Sequence, residues 1–267
     1  MVNLDEVSLF FHEISPKILK LVARRFNIPH VIKQKGQSND IDFVTESDVE
    51  VENIIVKELK TRFPDDQIIA EEGFSDIKPN GKGRVWIIDP ICGTSNFAKK
   101  IKLFVTNIAL AQNGKLVASC VVDHSQNEYI WSVGGNAIFI NQNKVRINST
   151  APGVKIEVDL SGLHENSKEV KEIYSGFIHR LISETKYSPI TYATSLGFAY
   201  VSLGRIDAYL NPNIRLWDMA AANFLAEQSG GIVTDIQGFP WTLSSTSVLA
   251  ARDKLLHKEL LNLLIAS

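Results

Sequence analysis

The sequence predicts a mixed α/β fold, and three stretches carry that reading. From residue 156 onward, strand-like runs (156–160, 190–191, 208–210, 232–235) alternate with helix-like ones (169–182, 195–203, 218–229, 254–265), the pattern of helices layered on a sheet. Before it, residues 103–111, 116–123 and 128–133 read as three strands joined by Asn113-Gly114 and Ser125-Gln126-Asn127 turns, which makes an antiparallel meander. The third stretch is Trp86-Ile-Ile-Asp-Pro-Ile-Cys-Gly-Thr-Ser-Asn-Phe97, where an apolar run meets an acid fixed by proline and then a Gly-Thr-Ser turn. That order is strand, turn, helix N-terminus.

At the N-terminal end, Val7, Phe11, Ile14, Ile18, Leu21 and Val22 recur at helical spacing over residues 4–26, with Pro16 marking a boundary or kink. Residues 30–41 are a polar loop. Ser47 or Asp48 is positioned to cap a helix running to about Phe63. Residues 67–70 form a short strand that delivers Glu71 and Glu72, adjacent acids that point to opposite sides, so one of them faces a shared site. Gly134–Ala137 and Asn141–Asn143 punctuate a further hairpin, and Ser149–Gly153 is the best boundary between an N-terminal half, 1–150, and a C-terminal half, 151–267, of one compact unit. Asp218 opens an alanine-rich helix that stops at Gly230-Gly231.

Composition narrows the function. With 45% hydrophobic residues the chain can bury a large core, and a net charge of -2 gives no basic footprint for nucleic acid. The N-terminus lacks the order of a secretory signal and no apolar run approaches the roughly 20 residues of a membrane span, so a cytoplasmic protein is expected. Two cysteines, Cys92 and Cys120, are too few for a disulfide framework, and the histidines show no paired metal spacing.

Chemistry concentrates at Asp89. A carboxylate at a strand end offers a cation site, and the N–H groups of Gly93, Thr94 and Ser95 at the start of a helix offer an anion site. A metal and a phosphate can meet there. Four ordered motifs, Asp42–Glu52, Ile68–Gly73, Trp86–Phe97 and Leu216–Ala221, together resemble the inositol monophosphatase family of magnesium-dependent, lithium-sensitive phosphatases. The resemblance spans nearly the whole chain.

It implies a layered α-β-α-β-α sandwich of the sugar phosphatase type and a homodimer. It also implies a first ion held by Glu71, Asp89 and the Ile91 carbonyl, with Asp48 and Thr94 orienting the attacking water. A second ion falls to Asp89, Asp218 and position 92, with Gly93, Thr94 and Ser95 on the phosphate. The oxygen donors suit Mg2+. One departure stands out: where the family has Asp-Pro-Ile-Asp-Gly-Thr, this chain has Cys92. A thiol is neutral and soft, so the ligand side chains fall from four negative charges to three, and Mn2+ or a softer ion becomes an option at the second position. The expected activity is hydrolysis of a small phosphomonoester like inositol 1-phosphate, weakened by Cys92. The competing reading is a catalytically inactive phosphate binder or interaction scaffold. Where the animal enzymes place an acid on the sugar hydroxyls, this chain has Asn211, with Arg215 nearer the motif and able to favour a second anionic group. Sugar bisphosphates, nucleotide phosphates and histidinol phosphate remain alternative substrates.

Overall fold

Successive residues of the Asp89 strand face opposite sides, and both sides are apolar. Trp86 and Ile88 join one buried cluster while Val85 and Ile87 join another, so this strand needs cover on both faces. The computed structural model describes residues 3–28, 32–34, 43–73, 83–147, 152–161, 163 and 166–265. Residues 30–31 and 35–41 of the expected polar loop and most of the 149–153 boundary lie outside them, while residues 32–34 of that loop form a short strand.

In chain order the first elements are α1 (Leu4–Phe26), β1 (Ile32–Gln34), β2 (Phe43–Thr45), α2 (Glu46–Arg62), β3 (Gln67–Ala70), β4 (Arg84–Cys92) and α3 (Thr94–Ala98). The meander follows as β5 (Val105–Gln112), β6 (Lys115–Asp123), β7 (Glu128–Ser132), β8 (Ile138–Ile140) and β9 (Asn143–Val145). The second half comprises β10 (Lys155–Val158), α4 (Lys168–Glu184), β11 (Ser188–Ile190), α5 (Leu196–Val201), β12 (Ala208–Asn211), α6 (Leu216–Gln228), β13 (Ile232–Thr234), β14 (Val248–Ala251) and α7 (Lys254–Ile265).

Strands β3 to β9 form one sheet in sequence order, parallel between β3 and β4 and antiparallel from there on. The second sheet has the order β11-β10-β12-β14-β13. Three apolar clusters glue the stack together. Helices α1 and α2 cover one face of the first sheet. Helices α5 and α6 lie between the two sheets. Helices α4 and α7 close the far face of the second. The expected α-β-α-β-α order is present.

Two local expectations need correction. Pro16 marks no boundary: α1 runs unbroken through it, with the proline exposed. The cap of α2 is Thr45 rather than Ser47 or Asp48: its hydroxyl accepts from Ser47 N, and Asp48 at N3 accepts from Thr45 N at 2.9 Å. Among the described residues no helix is long and apolar enough to cross a membrane.

Candidate active site

Asp89 sits near the end of β4, fully buried and paired across the ladder with Asn107. After it the register shifts between Asp89 and Cys92, which re-aims the strand end into a cleft of about 250 Å³. Gly93 then turns the chain at φ 98° into α3. A Cβ there would stand 3.1 Å from Leu103 O and 3.2 Å from Thr194 Cβ, tighter than ordinary contacts. Gly93→Ala is therefore expected to cost about 2–3 kcal/mol, from the left-handed backbone and the crowding together, read as a lower urea midpoint at unchanged slope.

The turn presents Thr94, whose hydroxyl lies 3.1 Å from Asp48 Oδ1 and 3.0 Å from Ile91 O. The capping box explains Asp48's pose, since Thr45 holds Oδ2 through both its N–H and its hydroxyl and leaves Oδ1 for Thr94. Burial is the main influence on Asp48 and pushes its pKa up to about 6 against the lowering effect of those hydrogen bonds.

Glu71, Asp89, Ile91, Cys92, Gly93, Thr94, Ser95, Asn211, Arg215 and Asp218 all line the cleft, so residues from four separate stretches converge, with Asp48 reached through Thr94. Glu72 is not among the residues that line the cleft, and its backbone N–H donates to Glu52 Oε2 at 2.8 Å. Asp218 is not the cap of α6 but its N3 residue, accepting from Arg215 N at 3.2 Å because Arg215 is the extended residue at the helix start. Asn211 is 2% exposed and its amide is engaged locally, accepting from Asn213 N at 3.0 Å and donating to Tyr209 OH at 3.4 Å. Arg215 is exposed at the rim.

Asp89, Cys92 and Asp218 bring ligand atoms within 4.8 Å of one another. Asp89 Oδ1 is buried with no hydrogen-bond partner among the described residues. Desolvation, then the charges of Glu71 and Asp218, push the Asp89 pKa well up, and Asp218 is raised by burial and by Glu71. A carboxylate oxygen left bare among like charges is what a cation satisfies.

The sequence reading missed the segment Ala193-Thr194-Ser195, which crosses the cleft from the second half. Thr194 Oγ1 donates to Cys92 O at 2.9 Å, and Asn96 Nδ2 donates to Tyr192 O at 2.8 Å, tying the segment to the β4–α3 turn. Ala193 holds φ 55°, a left-handed non-glycine in the cleft wall. Asp159 and Ser161 complete that wall, with Asp159 fully committed to Ser161 and Tyr209. No local sequence signal marks these positions.

The family model described as the inositol monophosphatase family matches residues 3–266. Inositol monophosphatase of Dictyostelium discoideum is 31% identical over 248 residues, 92% of this chain and 89% of that protein. Nus factor SuhB of Escherichia coli K12 is 28% identical over 245 residues, 91% of this chain and 90% of that one. Among solved structures, the Thermotoga maritima IMPase superposes with a TM-score of 0.82 at 27% identity, covering 97% of this chain and 96% of its own.

Proposed function

Because the chain belongs to the inositol monophosphatase family, we propose that it hydrolyses a small phosphomonoester of the inositol 1-phosphate kind, with turnover weakened by Cys92. By family it is a phosphatase. The observation that carries the finer reading is Thr94, whose hydroxyl joins Asp48 Oδ1 and Ile91 O beside Glu71 and Asp89 in one cleft.

The residues present fit a hard divalent cation such as Mg2+, since Glu71, Asp89 and the Ile91 carbonyl are oxygen donors and Asp89 Oδ1 is without a partner among the described residues. Such an ion, when bound, acidifies a water and neutralises charge on the transferring phosphoryl group. The chain supplies the rest. Thr94 orients the attacking water through its hydroxyl, and Asp48 takes the proton relayed from it. The N–H groups of Gly93, Thr94 and Ser95, at the start of α3 where helical acceptors are missing, hold the phosphate oxygens. Asp218 and Cys92 face the leaving-group side, and water attacks in line without a covalent phosphoenzyme.

Phosphate release from inositol 1-phosphate, a sugar bisphosphate, a nucleotide monophosphate and histidinol phosphate, each with Mg2+ and with Mn2+, tests the reading. Release above the uncatalysed rate from at least one ester supports it. The second reading, a phosphate binder without turnover, is favoured by Cys92 and by the relative named as a Nus factor. Saturable binding of those esters by folded protein, with no release from any, would replace the first reading by the second.

Asp48 gives the reading a pH signature. A base works only when ionised, so activity is present above about 6 and falls as the pH drops through that value. The loss is about tenfold per unit. Asp48→Asn is expected to lower kcat by about 10²–10⁴ and to erase this acid limb from what remains. A residual rate with the same limb would take the base role from Asp48.

A further inference from the structure

Position 92 is surrounded in a way that a buried, inert thiol does not need. Its Sγ lies 3.2 Å from Ser195 N and 3.1 Å from Ser195 Oγ, both donors, and 3.7 Å from Asp218 Oδ1. Ser195 Oγ in turn accepts from Asn107 Nδ2 at 2.9 Å, which directs its single hydrogen at the sulfur. Asn107 also reaches toward Asp89 Oδ2 at 3.5 Å, so one amide ties the sulfur's donor to the neighbouring ligand. All of these side chains are buried except Asp218, which opens to the cleft.

Cys120 is the contrast. It too is buried, but among the described residues its hydrogen-bond partner is Ser15 Oγ, at 3.4 Å inside the α1 layer, and no carboxylate hydrogen-bonds to it. The sulfur at Cys92 accepts from two donors of Ser195 and has the carboxylates of Asp89 and Asp218 within reach. Hydrogen bonds to a sulfur from behind are how proteins hold a metal thiolate, fixing its direction and tuning its donor strength. The only hydrogen Cys92 can contribute lies toward Asp218 Oδ1, which is where a cation would replace it.

The geometry points to a mixed carboxylate–thiolate cation site, made by Asp89, Cys92 and Asp218 and selective for thiophilic divalent ions such as Zn2+ or Co2+, in which Ser195 and Asn107 position the sulfur. The site deepens the phosphatase reading above and rests on it for its role in turnover. One observation besides the donor set supports it: Asp89 lines the same cleft, and its Oδ1 is buried without a hydrogen-bond partner among the described residues.

On binding, the S–H bond breaks, its proton leaves to solvent and a sulfur–metal bond forms. No electrons are transferred. A soft ligand favours Zn2+ and Co2+ over Mg2+, so the substitution changes the ion the corner prefers rather than emptying it.

Titrating the full chain with Co2+ reads the sulfur directly, because a cobalt-bound thiolate absorbs in the near ultraviolet through charge transfer and carboxylates do not. The expected band saturates with Co2+, is displaced by Zn2+ and survives about a hundredfold excess of Mg2+. Cys92→Ser removes it and Cys120→Ser keeps it. Ser195→Ala keeps the band and weakens Co2+ binding about 10- to 100-fold. With circular dichroism confirming the fold, absence of the band in the parent, or its persistence in Cys92→Ser, overturns the site. Unchanged Co2+ affinity in Ser195→Ala overturns the positioning role. A band without phosphate release from any ester leaves the site standing and removes the phosphatase reading. Release with Mg2+ and no band does the reverse.

Discussion

Replacing Cys92 by aspartate is expected to raise magnesium-dependent phosphate release by about 10²–10⁴, the rate equivalent of roughly 3–5 kcal/mol of barrier. The argument is one of donor chemistry in a fixed frame. Asp89 and Asp218 already flank the position, and Ser195 offers two donors to whatever acceptor stands at 92. A carboxylate accepts those bonds as sulfur does and adds the hard, charged oxygen that Mg2+ prefers. The gain should fall on kcat, because stabilisation of the leaving oxygen grows in the transition state and is small in the bound ester.

The same replacement should reverse the order of metals. The parent is expected to work better with Mn2+, Co2+ or Zn2+ than with Mg2+, and the Asp variant better with Mg2+. Phosphate release by both proteins under each ion checks this in one experiment. Equal magnesium rates in parent and variant would remove Cys92 as the cause of weak turnover.

Much of the fold was legible because its signals are local. The run Trp86–Ile88 with Asp89-Pro90 after it can hardly be other than a buried strand ending in a turn, and Gly93 fills a position where a Cβ has no room. The alternating second half likewise announced its layers. What misled was crowding of equivalent signals. Thr45, Ser47 and Asp48 all can cap, and the choice among them depends on the capping box and on Thr94, forty-six positions beyond Asp48. Pro16 misled differently, since a proline inside a long apolar-striped helix is tolerated where the packing of the flanking turns holds the helix together, and that packing lies outside the local signal.

The proposed metal corner was legible only in part. Glu71, Asp89 and Asp218 stood out through motif resemblance, and the cleft gathers them. Ser195 and Asn107 were legible only as parts of a helix-like run and a strand, with no signal of a site. Each acquires a role only from a contact across the fold, Ser195 with Cys92 over 103 positions and Asn107 with Ser195 over 88. Residues proposed to tune a ligand are identified by the partner they touch, so a linear reading finds the candidate ligands first.

Asp89→Asn is expected to abolish turnover, by about 10³ or more, while making the metal-free protein more stable at neutral and alkaline pH. Asp89 is buried among Glu71 and Asp218, and the desolvation and like charge that raise its pKa act only on the ionised form. A carboxyl whose pKa is raised on folding binds its proton more tightly in the native state. Its stabilising contribution is therefore whole below the unfolded value near 4 and is lost as the pH rises through the folded one. Asparagine keeps the shape and cannot ionise, so it lacks this slope. The melting temperature of the variant should exceed that of the metal-free parent by a margin that widens from pH 5 to pH 8, to about 4–8 °C for some 2 kcal/mol in a chain of this size. Saturating Mg2+ or Mn2+ should then stabilise the parent and not the variant, reversing the order, because a cation supplies the partner that Asp89 Oδ1 lacks among the described residues. Differential scanning calorimetry with chelator and with metal, across that pH range, reads both effects. A metal-free variant less stable than the parent at pH 8 would mean that the Asp89 carboxylate supports the fold by itself, and the stored repulsion inferred for this corner would have to be given up.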